Sequence, residues 1–465
     1  MSPNRTSERG STLVIVLWIA FGLISLAVYF ADSMTFELRA SDNRVSAQAA
    51  DAAIDGAARY LISVLGNTGT NGVMPCQICY SNAAVPVGDA HFWVIGRDTN
   101  LPVGPGILSF GLIDEASKLN LNYVTSNQLI CLPNITQDLV NGILDWRGTN
   151  GPNSTVTYYE MMQPAYQCKG AHFETVDELR LVYGANMDML VGEDANRNGV
   201  LDANENDANQ NGMLDPGILE YATVYSREPN TNSSGGMINI SSLSTANSSR
   251  LNGLLQTNFG ATRASQIMRS LGLTTQPAAA TPGRGGTGAT APAAAVTTVV
   301  TFTSPLQFYS RSGMTSAEFA QIFTNLTMTT NAFIEGRVNV NTAPAPVLTC
   351  LLGGDTSAAQ QLVNYRLANP TVLTSIAWVI DALGQNFASD LSALEAGDYL
   401  TTQSYQFTAD IAALGPFGRG YRRVKFVFDT SNGTPQIIYR QDLTHLGWAL
   451  GDDVRRTWVL GKGTS

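Results

Sequence analysis

RGSTLVIVLWIAFGLISLAVYFAD, residues 9–32, sets one arginine and one glycine before an uncharged run that ends at Asp32. The run over 11–31 is 21 residues long, and about 20 apolar residues cross a bilayer as a helix. A cleaved secretory signal has a shorter apolar run, about 7–15 residues. Arg5 and Arg9 precede the run while Asp32 and Glu37 follow it, which by the positive-inside rule leaves the bulk of the chain outside.

Helical character continues beyond the run. Over 34–65 there is no proline and one glycine, Gly56, and Val45, Ala49, Ala53, Ala57, Tyr60, Leu61 and Val64 recur at helical spacing. The two stretches read as one helix of about 80 Å at 1.5 Å per residue. Its first part suits lipid or other helices, and its second lays one amphipathic face on a folded domain.

At 465 residues the chain exceeds one ordinary core. Only 14% of residues are charged, and 43 glycines and 19 prolines mark it as loop-rich. The net charge of −10 is concentrated over 193–220, which carries seven acids and one base, Arg197. An acidic chain without a large basic block is ill suited to phosphate backbones, so no nucleic-acid partner is expected. Of five cysteines, Cys76 and Cys79 in CQIC read as a local disulfide of an oxidising compartment.

A shift of 219 residues lays SKLNLNYVTSNQLICL (117–132) over GRVNVNTAPAPVLTCL (336–351), matching Asn120 with Asn339, Asn122 with Asn341 and Cys131 with Cys350. In the same register ILDWR (143–147) lies over LVNYR (362–366). NLN and NVN suit short extended pieces, and the residues after them suit paired helices, so two copies of a small helical unit are expected. FETVDELRLVYG (173–184) and TSIAWVIDALG (374–384) read as a further helix in each copy. The hairpins CLPNITQ and CLLGGDTSA lack the basic cluster of nucleic-acid-binding helix-hairpin-helix units. Cys131 and Cys350 read as buried free thiols, with Cys131–Cys168 as an alternative disulfide.

Residues 193–221, EDANRNGVLDANENDANQNGMLDPGILEY, match the calcium-loop pattern D-x-[DN]-x-[DN]-G-x5-E through Asp194, Asn196, Asn198, Gly199 and Glu205. Calcium takes six to eight oxygens. The spacing offers Asp194, Asn196, Asn198, the Val200 carbonyl and Glu205, with Asp202 acting through water. Thirteen residues on, the pattern repeats with Asp207, Asn209, Asn211, Gly212, the Met213 carbonyl and Asp215, but the twelfth position is Ile218. A second ion would therefore borrow Glu220 or a carboxylate of the first loop. Calcium is the expected cofactor, with a structural role.

HFWVIG (91–96), ILSFGLI (107–113) and YRRVKFVFDTSNGTPQIIYRQDL (421–443) read as strands, the last a hairpin turning at Asn432-Gly433. Strands so far apart in one sheet would make the helical region an insertion. Residues 273–298, rich in Ala, Gly, Pro and Thr, read as a linker. Signs of catalysis are few. His91, His172 and His445 stand apart, His172 beside Cys168 and Glu174 has no second ligand pair, and no GxSxG, HExxH or Walker loop occurs.

A short polar leader ending in Gly10, before an apolar helix continuous with an amphipathic one, resembles the type IV pilin and pseudopilin class. The doubled unit, with KLNLN, ILDWRG and FETVDELRLVYG, resembles the K-type minor pseudopilin of type II secretion. The resemblance implies that a prepilin peptidase cuts between Gly10 and Ser11, leaving Ser11 as the N-terminus, open to methylation. Ile15 stands where most members carry a glutamate, which fits a subunit at a filament end.

The implied fold is α+β: a long N-terminal transmembrane helix, a small antiparallel pilin-like sheet, and a large mostly helical insertion of two helix-hairpin-helix (SAM-like) units. The expected layout is a leader at 1–10, transmembrane helix at 11–31, amphipathic continuation at 32–65 and pilin-like strands at 66–113. Helical unit one comes next at 114–225 with calcium loops at 193–220, then a partly helical region at 226–272, a flexible linker at 273–299, unit two at 300–400 and returning strands at 401–465. The implied role is non-enzymatic: a tip subunit in the inner membrane, its C-terminal domain in the periplasm, meeting other minor pseudopilins, the major pseudopilin and the inner-membrane secretion platform. The alternatives are a minor type IV pilin for adhesion or DNA uptake, and an exported or anchored calcium-binding enzyme.

Overall fold

The computed structural model describes residues 9–99, 108–149, 156–232, 235–273 and 300–460. Residues 1–8 of the expected leader and 274–299 of the expected linker lie outside the described residues.

Helix α1 runs from Arg9 to Thr68. Its apolar first half is exposed and is long and apolar enough to cross a membrane. In the second half, Ala50, Ala53, Ile54, Ala57, Ala58, Leu61 and Leu65 are buried at three- and four-residue spacing. They rest on an antiparallel sheet of β1 (Val85–Val87), β2 (Ala90–Ile95), β3 (Ile113–Asp114), β4 (Gln406–Leu414), β5 (Arg422–Asp429) and β6 (Gln436–Asp442). The order is β1-β2-β4-β5-β6, with β3 also pairing with β4.

Alternation along the strands serves two layers. Phe92, Val94, Phe407, Ile411, Phe426 and Phe428 face α1. Trp93, Ile95, Ala412 and Leu414 face the C-terminal segment through Ala449, Leu450 and Trp458. Burying each Leu or Ile of α1 contributes about 1.5–3 kcal/mol. Gly420 closes the β4–β5 connection hard against the helix: its φ is +67°, and a Cβ there would stand 2.4 Å from the Ala47 nitrogen.

Because Asp114 pairs with Phe407 in the sheet, the chain leaves and rejoins it at one place. Everything between is an insertion, and a local hydrogen-bond pattern recurs along it. Leu119–Asn120 pairs in parallel with Ala222–Thr223, and Val338–Asn339 with Leu400–Thr401. In each, the asparagine Oδ1 accepts from the N–H two residues on, Asn122 to Asn120 and Asn341 to Asn339, both at 3.0 Å. The closing threonine does likewise: Thr223 accepts from the Tyr225 N–H and Thr401 from the Gln403 N–H, both at 3.1 Å.

The sequence reading has two copies; this pattern occurs a third time between them. Ile238–Asn239 pairs in parallel with Leu326–Thr327. Ser241 donates to Asn239 Oδ1 at 2.9 Å, and Thr329 to Thr327 Oγ1 at 3.3 Å. This middle unit stands on an antiparallel stem of Arg227–Pro229 and Phe333–Glu335. The expected partly helical region at 226–272 thus pairs with the first part of the expected second unit, as far as Glu335, in one unit. Its INIS has serine for the second asparagine, and the Ala/Pro/Gly-rich stretch separates its halves.

In the outer units, α2 (Ser126–Leu129) and α3 (Gln137–Trp146) correspond to α5 (Ala345–Leu351) and α6 (Thr356–Ala368), with α4 (Thr245–Ser270) in the middle unit. Asn134 and Gly353, equivalent in the hairpins, both have positive φ, 58° and 66°. Two other expectations are corrected. FETVDELRLVYG forms a 3-10 helix, Val176–Leu181, in which Glu178 caps its own start and accepts from Trp146 Nε1 at 2.9 Å. In ILSFGLI, over its described residues, only a bridge at Phe110 to Ile95 and the strand from Ile113 form. Cys76 and Cys79 are bonded, whereas Cys131 and Cys168 are free, so the alternative bond between them is not formed.

Candidate metal-binding loops

The acidic stretch folds as two turns of the same design, thirteen residues apart. In the first, the Asp194 carboxylate accepts from the N–H groups of Asn198 and Gly199, both at 2.9 Å. Asn196 Oδ1 accepts from the Asn198 N–H at 3.0 Å, and Asn198 Oδ1 from the Val200 N–H at 2.9 Å. The side chains of Asn196 and Asn198 converge on Asp202 Oδ2, at 2.6 and 2.9 Å. Glu205 closes the turn by accepting from the N–H groups of Asn196 and Asp202 at 3.1 and 3.0 Å. At the sixth position Gly199 has φ +82°, and a Cβ there would lie 2.6 Å from Arg97 Nε.

The second turn copies these bonds. Asp207 accepts from Asn211 and Gly212 at 3.2 and 2.8 Å, and Asn211 Oδ1 from the Met213 N–H at 2.6 Å. Asn209 and Asn211 converge on Asp215 Oδ2, at 2.5 and 3.3 Å. Ile218, at the twelfth position, is buried in the core. Glu193 takes its place, with Oε1 accepting from the Ala208 N–H at 2.7 Å and Oε2 from the Asp215 N–H at 3.1 Å. Glu220, a donor in the sequence reading, is held by Arg97, whose Nε donates to its Oε1 at 2.7 Å. No linear pattern marks Glu193, which precedes the first turn and reaches the second only when both are folded.

Among the described residues no three His, Cys, Asp or Glu side chains form a ready-made cage. The first turn instead offers oxygens of mixed kind: two amides, a main-chain carbonyl and the carboxylates of Asp194, Asp202 and Glu205. Such a hard-oxygen set fits calcium rather than a thiolate- or imidazole-seeking metal. Burial pushes the Asp194 carboxyl up to about 7, with Arg97 opposing and Glu220 and Glu205 adding to the rise. Burial likewise raises Glu205. Clustered carboxylates that resist ionisation are what a divalent cation relieves.

Residues 338–394, the second outer unit, match the family model for protein K of the type II secretion system. The chain is similar to type II secretion protein K. A solved structure, the GspK-GspI-GspJ complex from enterotoxigenic Escherichia coli, aligns over 87% of this chain and 99% of that one, at 9% identity and a TM-score of 0.38. No curated protein matches the chain.

In this K-like chain the first loop, outside the matched segment, ties the insertion to the sheet. Arg97, just past β2, donates to the carbonyls of Asn198 and Arg197, both at 3.1 Å. Arg423 of β5, fully buried, donates to the carbonyls of Asn196 and of Arg197, the latter at 2.8 Å. Asn196 and Asn198 donate onward to the carbonyls of Trp448 and Ala449 at 3.1 and 3.3 Å. One loop therefore joins unit one, the sheet and the C-terminal segment. The second loop is largely exposed.

Proposed function

We propose that this chain is a non-enzymatic minor pseudopilin of a type II secretion system, placed at the pseudopilus tip, where it helps start assembly. The match of residues 338–394 to protein K supports the system. The place at the tip is supported by one observation: the whole insertion leaves and rejoins the sheet at the Asp114–Phe407 pair, beside a helix whose first half is exposed. A stem of that kind packs against other stems, and so bulky a head does not fit inside a filament of packed stems. In this reading α1 is first an inner-membrane anchor, with the rest of the chain in the periplasm, and later the stem. A prepilin peptidase cuts after Gly10, Ser11 becomes the methylated N-terminus, and the partners are other minor pseudopilins, the major pseudopilin and the inner-membrane platform.

Calcium, in this reading, is structural. Asp194, Asn196, Asn198, the Val200 carbonyl, Asp202 and Glu205 would hold one ion. Asp207, Asn209, Asn211, the Met213 carbonyl, Asp215 and Glu193 would hold a second. The ion supplies charge neutralisation, and the chain's own residues do the joining: Arg97 and Arg423 grip the loop's outward carbonyls.

Mass spectrometry of the full chain from membranes should find an N-terminal peptide starting at Ser11, and affinity purification should bring small pilin-like proteins with it. A start after Ala27 or Ala31, with the apolar stretch discarded, would refute the stem.

A further inference from the structure

The outer units meet through their own counterparts. Helix α2 packs on α5, and the shift of 219 residues places Ser126 on Ala345, the first residues of these two helices. The contact brings the ends of the two helices, and the cysteines there, into one neighbourhood. Cys131 and Cys350 are such a pair. Cys131 lies just past α2, and its Sγ lies 3.8 Å from where a Cβ on Gly354 would stand, in the turn that ends α5. Cys350 occupies the last turn of α5, 1% exposed, in the apolar core against which Cys131 packs. Burial and the neighbouring Cys131 together raise the Cys350 thiol. Cys168, the third free cysteine, has Asp145 as its charged neighbour.

We propose that Cys131 and Cys350 close to a disulfide that staples the two outer units beside this helix contact. Both are unbonded thiols in the structure; the chain nevertheless carries the Cys76–Cys79 bond of an oxidising compartment. A disulfide needs Cα atoms about 4.4–6.8 Å apart, and the Cys131 Sγ already lies against the turn that follows Cys350. The oxidant is a protein disulfide of the thiol-exchange class. The Cys131 thiolate, on the more exposed side, attacks one sulfur of that disulfide, forming a mixed disulfide and releasing the other sulfur as a thiolate. The Cys350 thiolate then attacks Cys131 Sγ and displaces the second. Two thiols lose two protons and two electrons, and the oxidant ends as a dithiol. Burial pushes the Cys350 thiol up to about 12, so the attacking thiolate is scarce once the core has closed. The bond therefore forms during folding rather than after it.

The test uses the full chain extracted from membranes in detergent with an alkylating agent present throughout, then digested without reductant. Mass spectrometry is expected to find the Cys131 and Cys350 peptides joined, lighter than the two thiol peptides by two hydrogen atoms. Alkylation of both cysteines, or a bond from Cys131 to Cys168, overturns the proposal. A second measurement uses a background in which Cys76 and Cys79 are both serine. There Cys131→Ser, Cys350→Ser and the double substitution should lower the melting temperature equally, each by the shift reductant causes in that background. Additive losses, or a background indifferent to reductant, would overturn it even where one variant folds poorly.

Discussion

Arg423 donates from Nε to Asp410 Oδ1 at 2.8 Å, and its guanidinium is closed off from solvent. The charge is held there by one carboxylate and two loop carbonyls together.

Replacing Arg423 with methionine keeps the bulk but leaves Asp410 buried without its ion-pair partner and frees the Asn196 carbonyl, while the Arg197 carbonyl keeps Arg97. Losing one partner of such a pair costs about 3–5 kcal/mol. Urea unfolding of the full chain should show a loss of this size; a loss below about 1 kcal/mol would mean that the loop holds itself to the sheet without it.

Arg147 and Arg366 are equivalent and do the same work. Arg147 Nη1 donates to the carbonyls of Leu121 and Val124, both at 2.8 Å. Arg366 Nη1 donates to those of Val340 and Ala343, at 3.0 and 2.6 Å. Both bonds leave a single Nη1 that the planar guanidinium holds between the carbonyls, and lysine's flexible ammonium lacks that fixed placement. Arg147→Lys and Arg366→Lys should each destabilise by ~1.5–3 kcal/mol. Protection of the Leu121 and Val340 amides in hydrogen exchange should fall only in the unit that carries the change.

Glu115 sets an acid limb. Burial alone would raise its carboxyl, but the charges of Lys118 and Lys425, with hydrogen bonds from Thr223 and Thr408, bring it down to about 2 from 4.5. A depressed folded value means stability that is complete above 4.5 and lost as pH falls toward 2. The contribution is ~3 kcal/mol at neutral pH. Asp114 has the opposite sign: burial raises it to about 6 from 3.8, so its part is lost as pH rises through that interval. In Glu115→Gln the loss between pH 4.5 and 2 should shrink by the stated amount, and an unchanged melting profile would sink the assignment.

If the two turns hold calcium, titration calorimetry should give two ions for the full chain and one for each of Glu193→Gln and Glu205→Gln. An ion at a hundred times its dissociation constant adds about 2.7 kcal/mol, so chelation should lower the melting temperature of the wild-type chain. Chelation without any shift, or a Glu193→Gln variant that still takes two ions, would count against the twelfth-position assignment.

Legibility tracked sequence distance. The pattern of apolar residues and the missing breakers in 9–68 are local facts, and α1 arises from them. The same holds for the hairpin at Asn432-Gly433, where Gly433 has φ +82° and donates to the Thr430 carbonyl at 2.9 Å. The loop positions from Asp194 to Glu205 were readable because their spacing is fixed within one turn of chain. Glu193 was not, since it serves a turn fourteen to twenty-two residues away, nor was Glu220, whose partner Arg97 comes from the sheet. The middle unit was hidden because its repeated part is four residues at each end, with unrelated helices between.

In the sequence itself the long N-terminal helix and the two acidic turns are legible from residues near one another along the chain, the doubled outer units from a repeat at one fixed shift, and the inserted character of the helical region from strand patterns on either side of it. Tertiary structure alone decided the third unit on its stem, the reach of Glu193 to the second turn and of Arg97 to Glu220, and the grip of Arg97 and Arg423 on the first loop. Those depend on which backbone carbonyls and charges are left facing one another when distant segments pack, and short-range periodicity carries no record of that.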